Sequence, residues 1–156
     1  MTDPTGPRTE ATLLRRALIA IVVLGTAGLL AELGLLEHWD DTWQWAPLVL
    51  LGAGLVLSVV AAVRPGRRLL RAFEGLMALY LLAGIVGVLL HYRGNVEFER
   101  EREPSLGGLR LVWEAARGAT PALAPGALAQ LGLLGLLYAY RHPAKGLTTG
   151  HRTEAR

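Results

Sequence analysis

Residues 46–63 read APLVLLGAGLVLSVVAAV, eighteen positions without one charged side chain. The uncharged run reaches back to Thr42. A helix rising 1.5 Å per residue needs about 20 apolar residues to cross a hydrocarbon core about 30 Å thick. The stretch therefore reads as a membrane span. The competing reading is a buried helix of a soluble protein, and the rest of the chain argues against it.

Three further segments have the same character. Residues 17–36 are interrupted only by Glu32, residues 72–92 carry Glu74 near their start, and residues 121–140 lie inside an uncharged run. Four such segments in 156 residues leave no amphipathic helix to cover them in water. Composition agrees. Charged residues make up 19%, below the roughly one quarter of a soluble globular domain, and mean hydropathy is +0.36. The expected fold is all-α: an integral membrane four-helix bundle, residues 13–142, between cytoplasmic tails at 1–12 and 143–156. Arg15 and Arg16 before an apolar run resemble the start of a signal peptide. The run is too long for a usual signal core and no small-x-small site closes it, so the first span is expected to be retained.

Orientation follows from the basic residues. Eleven of the 16 Lys and Arg fall in three segments: ahead of the first span, between the second and third, and after the fourth. The first loop has none, and the outer loop 93–120 has five. Nine of 13 acids lie on the opposite side, counting Glu32. Both termini are thus expected in the cytoplasm, N-in and C-in. The net charge of +3 then reflects topology and contact with anionic lipid, not a nucleic-acid partner. Fifteen Arg against one Lys fit a GC-rich bacterial genome, hence a plasma (inner) membrane protein. Trp39, Trp43, Trp45 and Trp113 on the outer side, with Tyr138 and Tyr140 on the inner, read as an aromatic belt.

Small residues at helical spacing, Gly54/Ser58/Ala62, Ala83/Gly87 and Gly132/Gly135, predict close packing within the bundle, with dimerisation the alternative. Pro125 predicts either that the fourth span starts there or that its outer end is kinked. The charged run 95–103 fits a strand or a helix with i,i+3 charge pairs. Residues 106–117 place Leu106, Leu109, Val112 and Trp113 near one helical face. They predict a short interfacial helix, lying on the outer leaflet or capping the bundle.

Chemistry-bearing residues are few. The absence of cysteine excludes disulfides and thiolate metal sites, and no phosphate-loop, dinucleotide, zincin or nucleophile-elbow motif occurs. Polar groups inside hydrocarbon are costly and so become candidates: Glu32, Gln130, and Glu74, which is expected to sit at the interface, paired with Arg71 or snorkelling. Gln130 reads as an interhelical hydrogen bond. The densest constellation is Glu32, Glu37, His38, Asp40 and Asp41 at the outer end of the first span, with His91, Asn95 and Glu97 at the outer end of the third. Meeting at one depth, His38, Asp41 and His91 would hold a divalent metal, and two histidines would clasp a haem. An outer acidic cluster also follows from charge bias alone, so no cofactor is the first expectation.

Three functions compete. The first is a non-catalytic accessory or interaction subunit, partnered by the bilayer and by another membrane protein or a second copy. The second is an outer-face metal- or cofactor-binding protein. The third is a small oligomeric transporter lined by Glu32 and Gln130.

Overall fold

The computed structural model describes residues 7–40, 42–118, 123 and 125–146. Among these the chain is helical, without strands. Five α-helices follow one another: α1 Pro7–Leu35, α2 Trp45–Val63, α3 Arg67–Arg102, α4 Gly108–Ala116 and α5 Gly126–Ala139. Single 3-10 turns, Thr42–Gln44 and Pro143–Lys145, flank α2 and follow α5.

Three helices are long and apolar enough to cross a membrane, over Thr9–Leu35, Thr42–Val63 and Arg67–Arg102. The molecule is accordingly that of a membrane-embedded helical protein. The fourth apolar helix, α5, has 14 residues and rises about 21 Å, less than the ~30 Å core. It starts directly after Pro125, whose carbonyl accepts the Leu128 and Ala129 amides at 3.1 and 3.4 Å. Pro125 thus opens the helix and does not kink it. Residues 121, 122 and 124 of the expected fourth span lie outside the described residues.

The helices alternate in direction. Short connections, with Pro65-Gly66 between α2 and α3, make α1/α2 and α2/α3 antiparallel neighbours. α5 runs antiparallel to both α1 and α3. Arg15 of α1 donates to the Arg141 carbonyl at 3.3 Å, and Gly25 of α1 faces Leu131. On α3, Phe73 stacks edge-on with Tyr138 at 5.7 Å, and Gly84 meets Ala129. The backbones of α1 and α3 are not neighbours, because α2 and α5 separate them.

The core is built on α3. Leu70, Phe73, Met77 and Tyr80 are fully buried and meet Val22, Leu51 and Ala61 of the adjoining helices. Where helices cross, glycine lets backbones touch. A Cβ on Gly84 would fall 2.5 Å from the Ala129 amide nitrogen, and one on Gly132 would fall 2.6 Å from the Met77 carbonyl. The small-residue rows serve packing within the chain, as expected. One residue of the row on α2 is corrected: Gly54, Ser58 and Ala61 are buried, and Ala62 is exposed.

Two boundaries differ from expectation. α1 starts at Pro7, so much of the expected N-terminal tail is helix. α3 continues to Arg102, 36 residues or about 54 Å in all. Residues 72–90, apolar apart from Glu74, account for about 28 Å, and residues 91–102 project roughly 18 Å further as a charged helix. Ion pairs Arg93–Glu97 at 2.9 Å and Arg102–Glu99 at 2.6 Å hold this extension in helical register.

Candidate functional site

The projecting end of α3 is covered on one side by α4. The pairing is antiparallel: Arg110 reaches Glu103 at 3.3 Å, and Asn95 Nδ2 donates to the Ala115 carbonyl at 2.9 Å. Asn95 and Glu99 are buried, as are Leu106, Leu111 and Ala115. α4 therefore packs against the end of α3; the sequence left open whether this helix lies on the leaflet or caps the bundle. The face also differs. Leu111 and Ala115 turn inward, while Leu109, Val112 and Trp113 stay 88%, 50% and 62% exposed. At 100° per residue the apolar arc of α4 spans more than half the helix, and α3 takes only one flank of it.

Part of the expected outer constellation lies together at the end of α1. Glu32, Glu37 and Asp40 are exposed and His38 half-buried at the end of α1, and Asp41 lies outside the described residues. His91, half-buried on α3, belongs to a helix whose backbone does not neighbour α1. Among the described residues no group of three or more His, Asp or Glu is placed to hold a metal ion. Glu97 pairs with Arg93, and Asn95 fastens α4. Gln130 is exposed on the surface of α5, level with Thr26, and Glu32 lies six residues further along α1, about 9 Å away. Glu74 pairs with Lys145, not with Arg71. The chain turns back after α5 and brings Lys145 beside it.

Glu37 has a structural task. Its φ of 49° is left-handed. The His38 amide donates to the Leu33 carbonyl at 3.0 Å and the Glu37 amide to the Gly34 carbonyl at 3.2 Å. These two bonds form a Schellman termination, whose left-handed position usually holds glycine. The Gln44 side chain then accepts the Asp40 amide at 2.8 Å, which closes the first loop.

At the opposite end the structure assembles a pocket that the sequence marked only by charge. The start of α1, the end of α2 and the segment after α5 enclose a cavity of about 250 Å³. Arg15, Arg16 and His142 supply its cationic and donor groups, Tyr138 a hydroxyl, and Ile19 and Ala62 apolar walls. The His142 position comes from a turn. Tyr140 (φ −60°, ψ 123°) and Arg141 (φ 47°) carry the backbone of a type II turn, closed by the His142 amide on the Ala139 carbonyl at 3.2 Å. His142 Nδ1 accepts the Ala144 amide at 3.2 Å, so in the neutral ring Nε2 carries the proton. The ring lies 5.2 Å from that of Tyr138, and the Tyr138 hydroxyl donates to the Ala61 carbonyl at 3.0 Å. Burial, then the nearby charges of Arg15 and Lys145, lower the His142 pKa. The clue in the sequence was the Arg15-Arg16 pair before the first span and His142 after the last, both expected on one side. Compared with protein-family models, curated proteins and solved structures, the chain matches none.

Proposed function

We propose that this chain is a four-span protein of a bacterial inner membrane, both termini cytoplasmic, and that it acts as a non-catalytic interaction subunit through its outer α3–α4 hairpin. One observation carries the reading: a hairpin raised about 18 Å beyond the apolar stretch of α3, braced by the buried Asn95, with Leu109, Val112 and Trp113 uncovered. Exposed apolar residues grouped on a rigid support mark partner contacts more often than scattered ones do.

The four-span reading is supported by the position of α5. It lies beside α3 from the level of Phe73 to that of Gly87, which faces Pro125. That is most of the depth of the apolar stretch. The segment 119–124 ahead of it has the composition to complete a crossing. Sidedness rests on the bias of Lys and Arg.

Two experiments test these statements. The chain lacks cysteine, so single-cysteine variants at Thr9, Trp43, Gly66, Leu109 and Gly146 give an unambiguous labelling map. The expected result is external labelling at Trp43 and Leu109 only; external labelling at Gly146 overturns the four-span reading. A photo-crosslinking residue at Leu109 or Trp113, irradiated in native membranes, is expected to give one discrete adduct that Val112→Asp abolishes. An adduct of twice the chain mass assigns a homodimer. No adduct at either position overturns the interaction role.

A further inference from the structure

The pocket between the start of α1 and the end of α5 has a composition the proposed role does not use. Its basic side chains come from two ends of the chain, Arg15 and Arg16 from one and His142 from the other. Among the described residues neither arginine has a carboxylate within ion-pair distance. The nearest acid on α3, Glu74, is taken by Lys145. Arg15 directs one N–H to the Arg141 carbonyl. Guanidinium has five donors, so most remain for a ligand. His142 Nε2 is left as a donor once Nδ1 accepts the Ala144 amide. Ile19 and Ala62 line the same cavity with hydrocarbon. Clustered donors without a resident acid are suited to an anion, and a planar fork suits phosphate oxygens.

We infer that this pocket binds a phosphate group, presented by an anionic phospholipid at the membrane edge. Three features favour the lipid over free phosphate. The pocket opens at the level where the apolar helices end, its walls include apolar side chains, and basic pockets between spanning helices commonly hold lipid headgroups. Its volume of about 250 Å³ is below the roughly 300–1,000 Å³ of sites for drug-sized ligands, and suits one headgroup. The lowered pKa of His142, caused by burial and then by Arg15 and Lys145, is consistent with a net positive potential around the ring. The inference requires only that this end of the helices meets a membrane surface. It holds for either leaflet, so it stands or falls separately from the sidedness tested by cysteine labelling.

The test uses the full chain in nanodiscs holding equal amounts of phosphatidylglycerol and phosphatidylcholine, with retained lipid counted by native mass spectrometry. At about 1 kcal/mol per basic residue near the surface, the two arginines are expected to give a preference for phosphatidylglycerol of about tenfold or more. Arg15→Ala with Arg16→Ala is expected to remove it, and Arg93→Ala with Arg100→Ala at the other end to leave it unchanged. Ala62→Phe fills the cavity while keeping every charge and is expected to act like the arginine pair, which separates occupancy from folding. Inorganic phosphate is titrated in phosphatidylcholine-only discs. Phosphate binding lost in the same variants, without a lipid preference, confirms the phosphate chemistry and assigns the free anion as its source. No preference and no phosphate binding, or a preference untouched by Ala62→Phe, overturns the inference.

Discussion

A methyl group on Gly54 of α2 would occupy the place of the Tyr80 hydroxyl of α3. The ring is fully buried, and its hydroxyl donates to the Leu51 carbonyl at 3.3 Å. Thr26 of α1 lies close to the same hydroxyl, its own hydroxyl buried without a hydrogen bond, so side chains of three helices converge at mid-depth. The missing Cβ is what allows α2 and α3 to come this close.

Gly54→Ala is expected to destabilise the protein by about 1–3 kcal/mol, the usual range for inserting a carbon into a packed core. Tyr80→Leu lacks the ring atoms that a Cβ at position 54 would meet. The double variant is therefore expected to be more stable than the two single losses predict. Reversible unfolding in mixed micelles measures this coupling. Strict additivity would mean that the two residues do not share the space.

Glu37→Gly is expected to raise stability. The left-handed conformation costs an L-residue about 1–2 kcal/mol, and glycine at the same position adopts it freely. Looser backbone in the unfolded state offsets part of the gain. A net increase of about 0.5–1 kcal/mol follows, read as a higher midpoint in the same unfolding assay. A decrease would show that the Glu37 carboxylate makes a contribution beyond the turn.

Much of this arrangement was legible in the sequence, and the exceptions have physical causes. Uncharged runs located α1, α2 and α3 because a bilayer demands length and apolarity before anything else. Pro125 narrowed the fourth helix to a start or a kink at that position through what proline cannot do, and the structure shows the start. The continuation of α3 to Arg102 was ambiguous because alternating charges suit a strand face and a helix ladder equally. Only the burial of Asn95 and Glu99 beneath α4 decides between them, and that is a tertiary fact. The His and acid residues expected on the outer side were grouped because they share a depth. Depth is readable from sequence, whereas which helices adjoin is not. The pocket at the start of α1 escaped notice for the converse reason: Arg15 and His142 are 127 positions apart, and each reads alone as a topology marker.

Asn95→Leu is expected to release α4. The side chain is buried and its amide satisfies the Ala115 carbonyl near the end of that helix. Removing one partner of a buried hydrogen bond costs about 1–3 kcal/mol, a large share of what holds a nine-residue helix to one neighbour. Hydrogen exchange should speed up across residues 108–116 and stay unchanged in α1 and α2. Gly118→Ala should act in the same direction, because its Cβ would fall 2.5 Å from the Asn95 side-chain carbon. Unchanged protection in both variants would mean that Leu106 and Leu111 suffice to hold α4.

His142 is expected to make stability depend on pH in a defined direction. Its pKa in the folded protein is lowered, first by burial and then by Arg15 and Lys145, whereas in the unfolded chain it returns to about 6.5. Above that pH both states hold the ring neutral and the residue adds no pH dependence. As pH falls below about 6.5 the unfolded chain takes up the proton first, so stability declines until the folded-state pKa is passed, and then levels off. Lys145 is itself paired with Glu74, so the repulsion felt by the ring is only partly offset. His142→Gln keeps a polar side chain without the titration, and the difference between wild type and variant isolates this residue from the carboxylates that titrate lower. The expected difference curve is flat above pH 7 and bends against wild type below it. Anionic lipid in the pocket would favour the charged imidazole, so phosphatidylglycerol in the micelle should shift that bend or reverse its sign. A difference curve flat from pH 7 to pH 5 would show that the ring feels neither its burial nor the arginine beside it.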